Sequence, residues 1–218
     1  MAKFLVAKGF EDKEINLPKR QTRHAAGYDF EAAEDIIIYP YFTALQNLLG
    51  VFADMLDNTD DFPEDLDEKI GKVQADDINS IQTYYEVKEF LFNHPSLNDD
   101  EKNRLKTLER DAKAVLVKTG VKCQLAPNQY LELVNRSSLP LKKSLILANG
   151  VGIIDSDYFE NEDNDGHIMF QFINMGMDPV VIHKGDRIGQ GILHEFKLME
   201  DDDLIHGEKR GGGFGSTN

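Results

Sequence analysis

The sequence predicts a mainly β protein, a Greek-key or jelly-roll fold carrying an inserted α-helical subdomain, and three observations lead there. From about residue 114 onward, short β-branched runs alternate with Gly, Pro and Asn. Two runs of the same kind precede Pro40. Between them, from Tyr41 to about residue 112, apolar residues recur at helical spacing.

In chain order, residues 3–8 and 35–39 (Asp-Ile-Ile-Ile-Tyr) read as strands, with Ala25-Ala-Gly-Tyr-Asp29 turning between them. Pro40 closes that pattern. Phe42, Leu45, Leu48, Leu49, Phe52, Met55 and Leu56 then place one apolar face on a helix. After a polar break over 57–65, a second helix is expected over 77–92, with Ile78, Ile81, Tyr85 and Phe92 on one side and His94-Pro95 as its stop. A third starts at Asn98, whose side chain can cap the first turn while Glu101 answers three residues later; Leu105 and Leu108 form its apolar face. Strands return at 114–118, 121–125, 130–134, 144–147, 166–174, 179–183 and 188–196. The expected domains are a β core of 1–40 and 113–206, a helical insertion of 41–112 and a flexible Gly-rich tail of 207–218.

The chain of 218 residues carries a net charge of −15, which argues against nucleic acid as a partner, because polyanion binding needs clustered Lys and Arg. The acid is uneven: residues 41–112 hold 7 Lys and Arg against 17 Asp and Glu, so −10 of the total lies in the insertion. The single cysteine, Cys123, excludes an internal disulfide and a multi-cysteine zinc site, and reads as a small buried hydrophobe. No apolar run approaches the roughly 20 residues that span a bilayer. The opening Met-Ala-Lys-Phe-Leu-Val is too short a run for a signal peptide. A soluble cytoplasmic protein with no membrane partner is the expectation.

Five stretches carry chemistry. Asn149-Gly-Val-Gly-Ile-Ile-Asp-Ser-Asp-Tyr158 ends an apolar run in two acids and an aromatic ring, and its glycines permit a tight turn and close backbone approach to a ligand. Alone, it is a hairpin with a solvated tip. Arg136, Ser137 and Ser138 supply a guanidinium and two hydroxyls at a strand end, suited to phosphate oxygens. The tail Gly211-Gly-Gly-Phe-Gly-Ser-Thr217 resembles a phosphate-cradling loop: backbone N–H groups and the hydroxyls of Ser216 and Thr217 face an anion, and Phe214 offers a flat face to a base. Ala26-Gly-Tyr-Asp29 and Gly185-Asp-Arg-Ile-Gly-Gln190 complete the set. A triphosphate needs such donors and cations, together with an acid that draws a proton from water.

Taken in chain order, with Asn149 through Tyr158 as the third, the five stretches resemble the five motifs of the trimeric dUTP diphosphatases (dUTPases), over the whole chain except roughly 41–112. The resemblance implies a homotrimeric, Mg2+-dependent jelly-roll β-barrel enzyme that hydrolyses dUTP to dUMP and pyrophosphate. Each site would draw on more than one subunit and be closed by a neighbour's tail. Asp155 would be the general base that activates water for attack on the α-phosphorus, a role typically worth about 10²–10⁴ in rate. Asp29 would hold, through water, the magnesium ion that bridges the phosphates. The hairpin from Asn149 through Gly152 would read the uracil edge, and Tyr158 would pack under the sugar and exclude a ribose 2′-hydroxyl. Gln190 would reach the nucleotide or its phosphates, whereas Arg187 serves as readily as a structural ion-pair partner.

The sequence departs from the family in four places. Lys209 stands where an arginine is usual, five residues before Phe214, with Arg210 one closer; either is the γ-phosphate cation, and the guanidinium fork favours Arg210. Phe159-Glu-Asn-Glu-Asp-Asn-Asp-Gly166 replaces the usual Arg-Gly-Glu, an acidic loop that reads as a solvated tip or a second cation site. Ser144 replaces a usual glycine. The 41–112 insertion either docks a regulatory protein or packs on its own trimer. An alternative function follows from it: a dUTP-sensing regulatory protein that presents 41–112 to a partner. Asp157 is assigned only a strand-end hydrogen-bonding role.

Overall fold

The computed structural model describes residues 1–57, 86, 88–90, 92–95 and 97–200. The chain divides into two compact units, Met1–Pro40 with Ala114–Asn218, and Tyr41–Lys113.

The first unit is built from ten strands: β1 (Lys3–Val6), β2 (Gly27–Glu31), β3 (Ile36–Ile38), β4 (Val115–Gln124), β5 (Gln129–Asn135), β6 (Leu145–Leu147), β7 (Gly152–Asp155), β8 (Ile168–Asn174), β9 (Val180–Ile182) and β10 (Arg187–Glu195). One sheet has the order β1-β4-β8-β6, a second β2-β10-β5-β7, and β3-β9 form a two-stranded ribbon. Every pairing is antiparallel. The layout is the jelly-roll type that the punctuated β runs predicted; among the described residues no sheet closes into a barrel.

The two larger sheets share one core. Along β8, buried Ile168, Phe170 and Phe172 alternate with half-buried neighbours, so the two-residue period turns them to one face. They meet Phe30, Leu131, Leu133 and Ile188 of the other sheet. Each fully buried ring contributes about 1.5–3 kcal/mol. Gly189 of β10 is part of that packing: a Cβ there would stand 2.0 Å from Cε1 of Phe170, so the ring rests on bare backbone.

Two expectations are corrected. The 25–29 stretch is not a turn throughout, since Gly27–Glu31 is strand β2, paired with β10. Its small Ala-Ala-Gly lead conceals an alternation in which Phe30 enters the core and Asp29 takes the opposite face. The runs 114–118 and 121–125 are one strand, kept continuous by an irregularity between Lys118 and Val121, where Gly120 adopts φ 68°.

The second unit contains α1 (Tyr41–Asp57) and α2 (Asp99–Asp111). Asn98 Oδ1 accepts from the Glu101 N–H at 3.0 Å and Glu101 Oε2 from the Asn98 N–H at 2.8 Å, the expected capping box. Leu105 is buried, with Val51, Phe90, Phe92, Leu97 and Leu108 against it. Phe42, expected on the apolar face, is 52% exposed, while Ala44 is 6% exposed. Ala44 and Val51 stand seven residues apart on one face, and two residues' rotation carries Phe42 away from it. Within 77–92, the described residues 86, 88–90 and 92 are helical; the remainder lies outside the described residues. Among the described residues no helix is long and apolar enough to cross a membrane.

Candidate active site

Asp29 stands in mid-β2 opposite Gln190 of β10. It is 7% exposed. Its Oδ2 accepts from Arg187 Nη1 at 3.0 Å, and its Oδ1 accepts from Gln190 Nε2 at 2.8 Å. Arg187 is thus an ion-pair partner, and Gln190, expected to reach the nucleotide, directs an amide N–H to the same acid. A carboxylate can accept about four bonds, so both oxygens retain capacity for the waters of a hydrated cation. The adjoining guanidinium opposes direct coordination of a bare ion. Magnesium, which keeps its waters and prefers phosphate oxygens, fits this donor set. Among the described residues no group of three or more His, Cys, Asp or Glu side chains could hold a metal by itself.

Where β5 ends, Arg136 leads into the short helix α3 (Ser138–Lys143). These residues and the start of β10 line a cleft of about 270 Å³. Arg136, Lys142, Lys143 and Arg187 surround it with four cations beside Ser138, and Leu139, Ile182 and Ile188 supply apolar walls. Its one acid, Asp186, already accepts the His183 N–H at 3.1 Å. Positive charge therefore prevails, and the cleft suits a polyanion. Ser137 is exposed at the N-cap and makes no side-chain cap bond. Lys142 and Lys143 were absent from the sequence candidates. Their signal was the Lys-Lys pair one helical turn beyond Ser138. After them Ser144 adopts the left-handed conformation, φ 52° and ψ 23°, and turns the chain into β6.

The hairpin that follows Asn149 turns on Gly150 at φ 71°. Gly152 lies under Leu133, where a Cβ would come within 3.2 Å, and 3.5 Å from Asn149 Nδ2. Strand β7 then forms the sheet edge as far as Asp155, opposite Tyr130. A 3-10 turn over Ser156–Tyr158 follows, and Tyr158 is 5% exposed.

The acidic loop after it is solvated in part, with Glu160, Glu162 and Asp163 exposed, and its remaining polar groups are engaged by the protein. Asn161 is 6% exposed. Lys122 Nζ lies 3.0 Å from Glu160 Oε1 and 2.9 Å from Asp165 Oδ2. The Lys8 N–H also donates to Asp165 Oδ2, at 2.7 Å. Burial alone would raise the Asp165 pKa; the bonds from Lys122 and Lys8 prevail and hold it below the usual carboxylate value. Sequence alone could not show that a lysine some 40 residues earlier engages these acids.

The structure brings Asp29, Gln190, Arg187, Arg136 and Ser138 together near the start of β10, and keeps Asp155 away from them. Asp29, Gln190 and Val134 lie in register across three strands, as do Tyr130 and Asp155, all on one sheet face. Crossing from β2 to β7 takes three strand spacings, about 14 Å, and passing from Val134 to Tyr130 takes about 13 Å along β5. Asp155 is therefore about 20 Å from Asp29 of the same chain. Lys209, Arg210, Phe214, Ser216 and Thr217 lie outside the described residues.

Comparison with known proteins matches residues 103–218 to the family model described as dUTPase. A deoxyuridine 5′-triphosphate nucleotidohydrolase of Lactococcus lactis is 30% identical over 214 residues, 98% of this chain and 95% of the relative. That alignment takes in the 41–112 insertion. Among solved structures, the dUTPase from Streptococcus mutans has a TM-score of 0.55 and 28% identity, covering 90% of this chain and 98% of its own. The dUTPase of Staphylococcus bacteriophage 80alpha, at TM-score 0.50 and 13% identity, covers 95% of this chain and 98% of its own, a likeness of fold alone.

Proposed function

The chain belongs to the dUTPase family, and on that premise we propose that it hydrolyses dUTP to dUMP and pyrophosphate in sites shared between copies of itself. The observation that carries this reading is the strand register, which sets Asp29 and Asp155 three strands and four residues apart on one sheet, about 20 Å at ordinary strand spacing. Reacting groups must come within about 3–3.5 Å. The phosphate cleft of one copy then meets the Asp155 of another, and the family resemblance sets the number of copies at three.

In this reading Arg136 and the hydroxyls of Ser137 and Ser138 grip phosphate oxygens, while Lys142 and Lys143 balance charge. Asp155 takes a proton from a water molecule as its oxygen bonds to the α-phosphorus. The bond from that phosphorus to the bridging oxygen breaks, and pyrophosphate leaves with the electron pair. Asp29, fixed by Gln190 and Arg187, would hold a hydrated magnesium ion through its waters, and that ion would supply charge neutralisation to the phosphates. Asn149 and the backbone near Gly152 meet the uracil edge; cytosine would set donor against donor, at about 1–3 kcal/mol for each unsatisfied group. Tyr158 packs under the deoxyribose. From a neighbour's tail, Lys209 or Arg210, Phe214, Ser216 and Thr217 close over the nucleotide. The lone buried Cys123 accords with a reducing cytoplasm.

The test is pyrophosphate release from dUTP, UTP, dTTP and dCTP. Turnover should be confined to dUTP, and Asp155→Asn should lower it by about 10²–10⁴. Full activity in Asp155→Asn would remove the base from that residue, and equal turnover of UTP would remove Tyr158 from sugar selection. The regulatory reading stays second. The bacteriophage 80alpha dUTPase is described as controlling transfer of virulence genes by a proto-oncogenic G protein-like mechanism, a property of that protein. The set Asp29, Arg136, Asp155, Tyr158 and the phosphate tail favours the enzyme, since a pure binder has no need of it; replacing 41–112 by a short bridge tests the insertion itself, which is peripheral if turnover is kept and part of the assembly if the trimer is lost.

A further inference from the structure

The loop over 159–166 folds back on Tyr158 and holds both its ring and its backbone. Asn164 Nδ2 donates to Tyr158 Oη at 2.8 Å, and the same hydroxyl donates to the His167 carbonyl at 3.2 Å. Asn161 Nδ2 donates to the Tyr158 carbonyl at 2.8 Å and to Asn164 Oδ1 at 2.9 Å. Asn164 Oδ1 also accepts the Gly166 N–H at 3.1 Å. With its oxygen committed to two donors, the Asn164 amide can only turn its nitrogen to the tyrosine.

The return of the chain is close enough to require glycine. Gly166 has φ 75°, and a Cβ there would lie 2.7 Å from the Tyr158 carbonyl and 3.0 Å from Glu160 N. Outside this turn, Lys122 clamps both Glu160 and Asp165. A loop serving only to connect β7 with β8 has no need of an amide aimed at an aromatic hydroxyl.

We infer that Asn164, itself held by Asn161, is a positioning residue that fixes the Tyr158 ring and thereby sets the preference for deoxyribose over ribose. The inference rests on the sugar-packing role proposed above for Tyr158. A hydroxyl bonded on two sides holds the ring against tilting. Without the Asn164 bond the ring gains room to move, and a displacement of about 1 Å at a reacting complex can change rates about a hundredfold. The space opened is the space a 2′-hydroxyl would take.

The experiment measures kcat/KM for dUTP and UTP in the full-length wild type, Tyr158→Ala, Tyr158→Phe, Asn164→Ala and the double variant Tyr158→Phe/Asn164→Ala, with melting temperatures alongside. Tyr158→Ala should abolish discrimination. Tyr158→Phe and Asn164→Ala should each lower the dUTP/UTP ratio about tenfold, and the double variant should lower it no further than either single change. A ratio that falls in Tyr158→Ala yet holds in Tyr158→Phe or Asn164→Ala overturns the positioning role and leaves the sugar role standing; additive effects in the double variant overturn it too. No dUTP turnover by the wild type, or a ratio unmoved by Tyr158→Ala, overturns the parent reading and this inference with it. If Asn164→Ala fails to fold, Tyr158→Phe, which leaves the other bonds of Asn164 intact, decides.

Discussion

Arg187 holds the carboxylate of Asp29 at 3.0 Å across 158 residues of sequence, tying the start of β10 to the middle of β2. The acid is the buried partner, its side chain 6% exposed against 38% for the arginine. Removing the cation leaves Asp29 with Gln190 alone, and the partial exposure of Arg187 moderates the loss. Arg187→Ala should lower stability by about 1–3 kcal/mol, and Arg187→Lys by less. Urea denaturation measures both; an unchanged midpoint in Arg187→Ala would show that the pair contributes nothing to the fold.

The shared sites proposed above predict complementation. Arg136→Ala and Asp155→Asn chains should each be inactive alone. When they are refolded together in equal amounts, a site that draws its cleft from one and its base from the other is whole, and random mixing restores about a quarter of wild-type turnover. Pyrophosphate release from the mixture checks this. Absence of any recovery in mixed trimers would place both residues in one chain's site.

Ser144 is strained. A non-glycine residue at φ 52° after a helix occupies the position that glycine takes without cost. Ser144→Gly should raise stability by about 0.5–1 kcal/mol, visible as a higher melting temperature with unchanged turnover. A lower melting temperature would mean that the serine side chain contributes more than its backbone costs.

His167 predicts loss of stability in mild acid. Burial pushes its pKa down from 6.5 to about 4, with Lys118 reinforcing the shift. Its Nε2 accepts the Gly120 N–H at 2.9 Å, which requires the neutral ring. The unfolded chain therefore binds this proton more readily than the folded one. The contribution is complete above pH 6.5 and is lost as pH falls toward 4, amounting to about 3 kcal/mol in all. Urea midpoints across that range should show the slope, and His167→Gln, retaining an acceptor for Gly120, should flatten it.

What the sequence disclosed was local. The Asn98 and Glu101 capping box could be read because both partners lie within one turn, and the β8 strand because its alternation is uninterrupted. Strand β2 was obscured by the small residues before Tyr28. The partners of Asp29 were out of reach because Arg187 and Gln190 become its neighbours only through β2–β10 pairing. The same holds for part of the 159–166 loop: its run of acids and amides suggested the solvation that Glu160, Glu162 and Asp163 have, but not the bonds of Lys122 or the Asn161–Asn164 pair. The cationic cleft was half legible, in Arg136 and Ser138, and the lysines completing it lay one helical turn further on.

The wide spacing of Asp29 and Asp155 along a single sheet also bears on inheritance. With sites shared as proposed above, a chain damaged at its cleft would still lend a sound base to its neighbour, and one damaged at its base would lend a sound cleft. Two differently faulty alleles in one cell would then make good part of each other's defect.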